Sequence, residues 1–170
     1  FHELFGSLRS TLRRNAITEL IRGVPLFGDL DEVQTQELVE KVGTASIAEG
    51  GSVFSQGEEG SIMYIVSSGS VKVTRRLEND EIVTVKDAMG PGSYFGETAI
   101  MKAQVRSATV TVTSPMAELL TISLEDFRAL MGSVEVLAER EQARRDFEAV
   151  RARASAYSKE DLTLIKSLGE

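Results

Sequence analysis

The sequence predicts an α+β fold, an antiparallel β jelly roll with helices before it and a helical segment after it. Three observations lead there. From Gly43 to Ile122 short apolar runs are separated by glycine-bearing turns. Ahead of Gly23 apolar residues recur at helical spacing, and after Ser123 strong helix formers dominate.

Each element follows from its residues. Leu8, Leu12, Ile17, Leu20 and Ile21 keep an approximate helical stripe, ended by Gly23 and Pro25. In the middle, Ile62, Tyr64 and Val66 mark a strand at period two, and Val71 and Val73 resume after Ser67-Ser68-Gly69-Ser70. Further strands are predicted at Ile82–Val85, Ala108–Val112 and Leu119–Ile122, with Gly57, Gly60, Gly69, Gly90 and Gly92 marking turns. Many short strands at such spacing suit a sandwich or barrel, here a jelly roll. Ser123 then reads as a helix N-cap, with Glu125 and Asp126 in the first turn and Phe127, Leu130 and Met131 as the apolar face. A second helix is predicted from Val134 to about Ala156, rich in Ala, Glu and Arg.

Composition narrows the function classes. A net charge of −7 argues against nonspecific binding to nucleic acid or an anionic membrane. The chain has no cysteine, which excludes disulfides and thiol catalysis and fits a reducing, cytoplasmic setting. His2 is the only histidine, so metal centres and histidine general bases are not expected. No apolar run reaches the ~20 residues of a membrane-spanning helix. The adjacent Glu58 and Glu59 read as a solvated turn rather than an acid pair.

The chemistry concentrates in Phe95–Val110. Gly96 and Glu97 open a helical turn whose first amide N–H groups lack intrahelical partners and suit an anion. Arg106, nine positions after Glu97, brings a forked cationic donor suited to phosphate. The Glu97 carboxylate accepts hydrogen bonds, so it suits a sugar hydroxyl and would repel the phosphate. The pair asks for a small ligand carrying both groups. An ordinary surface ion pair between Glu97 and Arg106 is the bland alternative, worth about 0–1 kcal/mol.

Phe95-Gly96-Glu97-Thr98-Ala99 followed by Arg106-Ser107-Ala108-Thr109-Val110 resembles the phosphate-binding cassette of cyclic nucleotide-binding domains. Gln56-Gly57-Glu58-Glu59-Gly60, then Met63–Val66 and Gly69-Ser70-Val71, are similar to the same family's strand–glycine–strand run. The resemblance implies that Gly96, Glu97, Thr98, Ala99, Arg106, Ser107 and Ala108 bind the ligand, with no cofactor besides it. Glu97 would hold the ribose 2′-hydroxyl, Arg106 the cyclic phosphate, and the Gly96 and Ala99 amides would complete the cradle. It further implies that the helices from 123 to 156 act as a lid. Gln142 is the position expected to cap the base, while Phe147 and Tyr157 are aromatic alternatives. Ser107 favours cGMP over cAMP, since its hydroxyl can accept from the guanine 2-amino group; Lys86-Asp87 stand where some cGMP sites carry an arginine.

Both ends suggest a longer parent. Phe1–Leu8 echoes Phe127–Val134, as the last helices of a preceding repeat would. Ser158–Glu170 resembles the lead-in to a protein kinase domain, though an amphipathic tail packed on the domain would read similarly. The expected organisation is therefore 1–22 as the end of a preceding repeat and lead-in, 23–157 as the nucleotide-binding domain with its lid, and 158–170 as linker and kinase start. This order resembles cGMP-dependent protein kinases and implies a non-enzymatic sensor whose partner is the catalytic domain of the same chain. Arg13-Arg14-Asn15-Ala16-Ile17 superficially resembles the pseudosubstrate of a cAMP-dependent kinase regulatory subunit, the nearest alternative, but it falls in a predicted helix. A transcription regulator would need a basic helix-turn-helix, a channel would need a preceding membrane region, and a cupin enzyme would need clustered histidines.

Overall fold

Two four-stranded antiparallel sheets form the centre of the protein, ordered β1-β8-β3-β6 and β2-β7-β4-β5. This is a computed structural model, and it describes residues 2–102, 104–131, 139 and 142–155. The strands are β1 (Gly43–Ala48), β2 (Ser52–Phe54), β3 (Ile62–Ser68), β4 (Val71–Arg76), β5 (Ile82–Met89), β6 (Tyr94–Phe95), β7 (Thr109–Val112) and β8 (Met116–Ser123). The helices are α1 (His2–Arg22), α2 (Glu32–Lys41), α3 (Glu97–Lys102) and α4 (Leu124–Met131). The jelly-roll expectation holds. The chain divides into two compact units, Phe1–Val134 and Glu135–Glu170. In the second, residues 142–155 are helical, within the range the sequence predicts.

The sheets meet through side chains from both. Phe54, Val71, Met89, Val110 and Val112 of one sheet pack with Val66, Phe95, Ala117 and Leu119 of the other. The outer face of the β1-β8-β3-β6 sheet is covered in turn, with α1 against β3 and α4 against β8. The central residues of β3 and β8, 63–66 and 119–122, are therefore buried or half-buried on both faces. The period-two reading of Ile62, Tyr64 and Val66 captured only half of β3, because Met63 and Ile65 are also fully buried. Leu119 is fully buried between the sheets. Leu119→Ala is expected to destabilise the domain by about 2–5 kcal/mol, read as a lowered denaturant midpoint.

Local signals set the helix ends. The Asp31 carboxylate accepts from the Gln34 amide at 2.8 Å and Gln34 Oε1 accepts from the Asp31 amide at 3.0 Å, the reciprocal box that starts α2. Ser123 accepts from the Asp126 amide at 3.1 Å, so the expected N-cap of α4 is present. Phe127 of α4 then meets Phe27 edge-on at 6.1 Å between ring centroids. The α1 stripe is buried only near its end. Ile21 is 1% exposed whereas Leu8 is 55% and Leu12 59% exposed.

Candidate functional site

Strand β6 delivers the chain to the site. Phe95 pairs with Tyr64 of β3, Gly96 follows at φ 87, and Glu97 begins α3. Only glycine adopts that φ without strain. A Cβ at Gly96 would also stand 2.6 Å from Arg106 Nη1 and 3.1 Å from the Ile62 carbonyl oxygen. The opening turn of α3 thus starts close against the arginine that the sequence pairs with it.

Arg106 is 4% exposed, a buried guanidinium rather than a surface charge. Nη1 donates to the Gly96 carbonyl at 3.0 Å and Nη2 to the Ile62 carbonyl at 2.6 Å. The guanidinium carbon lies 4.0 Å from the Phe54 ring centroid, close enough for cation–π attraction. The main chain is anchored as well, with the Arg106 amide donating to Glu58 O at 2.7 Å and the Gly57 amide donating to Arg106 O at 2.8 Å. Burial pushes the guanidinium down from arginine's ordinary value, opposed by Tyr64, Glu58 and Glu97 nearby. Among the described residues, Nε has no hydrogen-bond partner. A buried donor left in that state costs about 1–3 kcal/mol.

A cavity of about 150 Å³ opens against this arginine, and all seven of the predicted ligand residues line it, from Gly96 to Ala99 and from Arg106 to Ala108. The surface ion-pair alternative fails, since Arg106 is buried and bonded to carbonyls. Thr98 Oγ1 donates to Glu97 Oε1 at 3.4 Å. Met89, Phe95 and Val110 supply apolar wall, and Arg75 and Lys86 add positive charge. Asp87, next to Lys86, is exposed and does not line the cavity.

Two residues to which the sequence reading gave no part in ligand binding shape this site. A Cβ at Gly60 would overlap Arg106 Nε, so the turn before β3 forms the seat of the arginine. Arg75 Nε donates to the Ser107 carbonyl at 3.1 Å, holding the return arm of the cassette against β4. Its position was legible, because Val71, Val73 and Arg75 share one face of β4 at period two.

The model of the cyclic nucleotide-binding domain family matches residues 44–134, a span running from β1 through the cassette into α4. The chain belongs to that family. Over 125 residues it is 28% identical to the cGMP-dependent protein kinase egl-4 of Caenorhabditis elegans, covering 74% of this chain and 16% of the kinase. Over 122 residues it is 30% identical to the cAMP-dependent protein kinase regulatory subunit of Yarrowia lipolytica, covering 72% of this chain and 31% of that one. The regulatory domain of Toxoplasma gondii PKA, solved with cAMP, superposes with a TM-score of 0.69 at 25% identity over 79% of this chain and 51% of that chain. The chain therefore spans only about a sixth to a third of the length of the two sequence relatives.

Of the lid candidates in this cyclic nucleotide-binding domain protein, two lie among the described residues of the second compact unit. Gln142 belongs to the second compact unit, where its Nε2 donates to Asp146 Oδ1 at 3.0 Å along its own helix. Phe147, in the same unit, is 68% exposed. Tyr157 and the kinase-like stretch 158–170 lie outside the described residues. No helix among the described residues is long and apolar enough to cross a membrane.

Proposed function

We propose that the cavity binds a cyclic nucleotide, cGMP ahead of cAMP, and that binding relieves autoinhibition of a serine/threonine protein kinase domain in the same cytoplasmic chain. The observation that carries this reading is Arg106, a buried cation on the wall of a cavity that α3 opens into. An anion there meets the guanidinium and the first amides of α3 together. Gly96 and Ala99 frame those amides, and Glu97 takes the ribose hydroxyl beside them. A nucleoside alone would leave the guanidinium without an anion, so the phosphate is the anchoring group.

The wider organisation supports a regulatory role. Leu4, Phe5, Leu8 and Leu12 of α1 are each more than half exposed. In the echoing segment, Phe127 is 1% and Leu130 9% exposed, packed on their own domain. A preceding repeat would cover the α1 residues in the same way. Regulation then needs a ligand that binds one arrangement of the chain better than another, since equal affinity shifts nothing. Gln142 and Tyr157 remain the proposed lid positions.

Base selection rests on Ser107, whose main chain is fixed by Arg75 while its side chain is exposed at the cavity. Displacement of a fluorescent cyclic nucleotide by unlabelled cGMP and cAMP measures the preference. Ser107→Ala is expected to narrow the cGMP:cAMP affinity ratio by roughly 3–10-fold, the worth of one neutral hydrogen bond. An unchanged ratio removes Ser107 from the account. The second reading, a cAMP-binding regulatory subunit, draws on the similarity to the Yarrowia lipolytica protein. It would be preferred if cAMP displaced the probe at the lower concentration.

A further inference from the structure

Strand β7 leaves its ladder abruptly at the site. It pairs with β4 through Val71↔Val112, Lys72↔Thr111, Val73↔Val110 and Thr74↔Thr109. Two further steps of that register would set Ser107 opposite Arg76, since 74 + 109 = 76 + 107. Ser107 is not there. The Gln56 side chain occupies the place instead. Its Oε1 accepts from the Arg76 amide at 2.7 Å and its Nε2 donates to the Arg76 carbonyl at 3.0 Å. Those are the two bonds a strand residue would have made, supplied by a primary amide that carries one acceptor and a donor.

The main chain freed by this exchange is caught elsewhere. The Gln56 amide donates to Thr109 Oγ1 at 3.0 Å, at the point where β7 begins. The Ser107 carbonyl accepts from Arg75 Nε. The Arg106 amide and carbonyl pair with Glu58 and Gly57, in the same turn as Gln56. The main chain of Arg106 is thus tied to the turn that Gln56 opens, while Arg75 holds Ser107.

We infer that Gln56 is a positioning residue for the ligand site. By completing the β4 ladder in place of Ser107, it keeps the strand from zipping onward and holds Arg106 and Ser107 in the cavity wall. Without it, Arg76 offers an unpaired amide and carbonyl at the ladder's end, and the segment 106–108 gains a competing pairing with β4. The inference rests on the cyclic nucleotide reading only for its effect on affinity; the effect on the cassette backbone is independent of any ligand.

Gln56→Met keeps the length of the side chain and removes both bonds, and Gln56→Glu keeps an acceptor but loses the donor. Amide hydrogen exchange on the unliganded protein reads the backbone, with Arg106 compared against Val66, whose amide is bonded to the Ser93 carbonyl far along β3. Gln56→Met should accelerate Arg106 exchange about tenfold or more while leaving Val66 unchanged, and lower cyclic nucleotide affinity about tenfold, with Gln56→Glu between it and the parent. The affinity loss should shrink in an Arg106→Lys background, because Gln56 acts through that arginine. Unaltered Arg106 protection in both variants, or equal acceleration at Val66, would overturn the inference and leave Gln56 a general stabiliser. If the parent binds neither cGMP nor cAMP, the functional reading falls, and exchange at Arg106 alone then decides for or against the role of Gln56.

Discussion

Arg106→Ala is expected to weaken cyclic nucleotide binding by at least about 100-fold, for cGMP and cAMP alike. Truncating one member of a buried, hydrogen-bonded charge pair costs about 2–5 kcal/mol, and each 1.4 kcal/mol is a factor of ten. The loss falls on both nucleotides because the arginine answers to their shared phosphate, not to the base. Arg106→Lys keeps a charge but not the fork that bonds Gly96 and Ile62 while sitting over Phe54. It should recover only a small part of the affinity. Equilibrium titration of each variant, with circular dichroism to confirm the sheet structure, measures this. A loss confined to one nucleotide would mean that Arg106 does not hold the phosphate.

Gly60→Ala should be nearly as damaging, although Gly60 makes no hydrogen bond to any ligand in this account. Its added Cβ would overlap Arg106 Nε. The arginine cannot yield easily, being tied to two carbonyls and packed on Phe54. It must leave its seat, and affinity should fall by roughly 10–100-fold, within reach of the 2–5 kcal/mol at stake in the charge pair. Gly90→Ala is the matched control, since a Cβ there meets nothing within 4 Å. Equal affinity in the two variants would show that the seat tolerates a methyl group and that Arg106 is placed by other contacts.

Much of the molecule was legible because its patterns are local. The glycine-punctuated strands, the Ser123 cap and both halves of the cassette each lie within a few residues of sequence. What was missed depended on tertiary neighbours. Met63 and Ile65 lay outside the period-two set, and their burial follows from the packing of α1 against β3. Gly60 looked like a turn marker, and its role exists only because Arg106, forty-six positions later, is laid against it. The helix at Glu32–Lys41 is a different kind of miss. Asp31 and Gln34 form a capping box that could have been read from the sequence. Arg75 was likewise readable from the alternation of β4, whereas the Gln56 rung required the strand register.

Calorimetric titration of the unmodified chain with cGMP, and separately with cAMP, tests whether this cavity holds a nucleotide at all. Saturable binding at one site per chain is expected, tighter for cGMP, with the heat abolished in Arg106→Ala. Heats of dilution alone from both nucleotides would contradict it, leaving a family member whose buried arginine serves the fold and not a ligand.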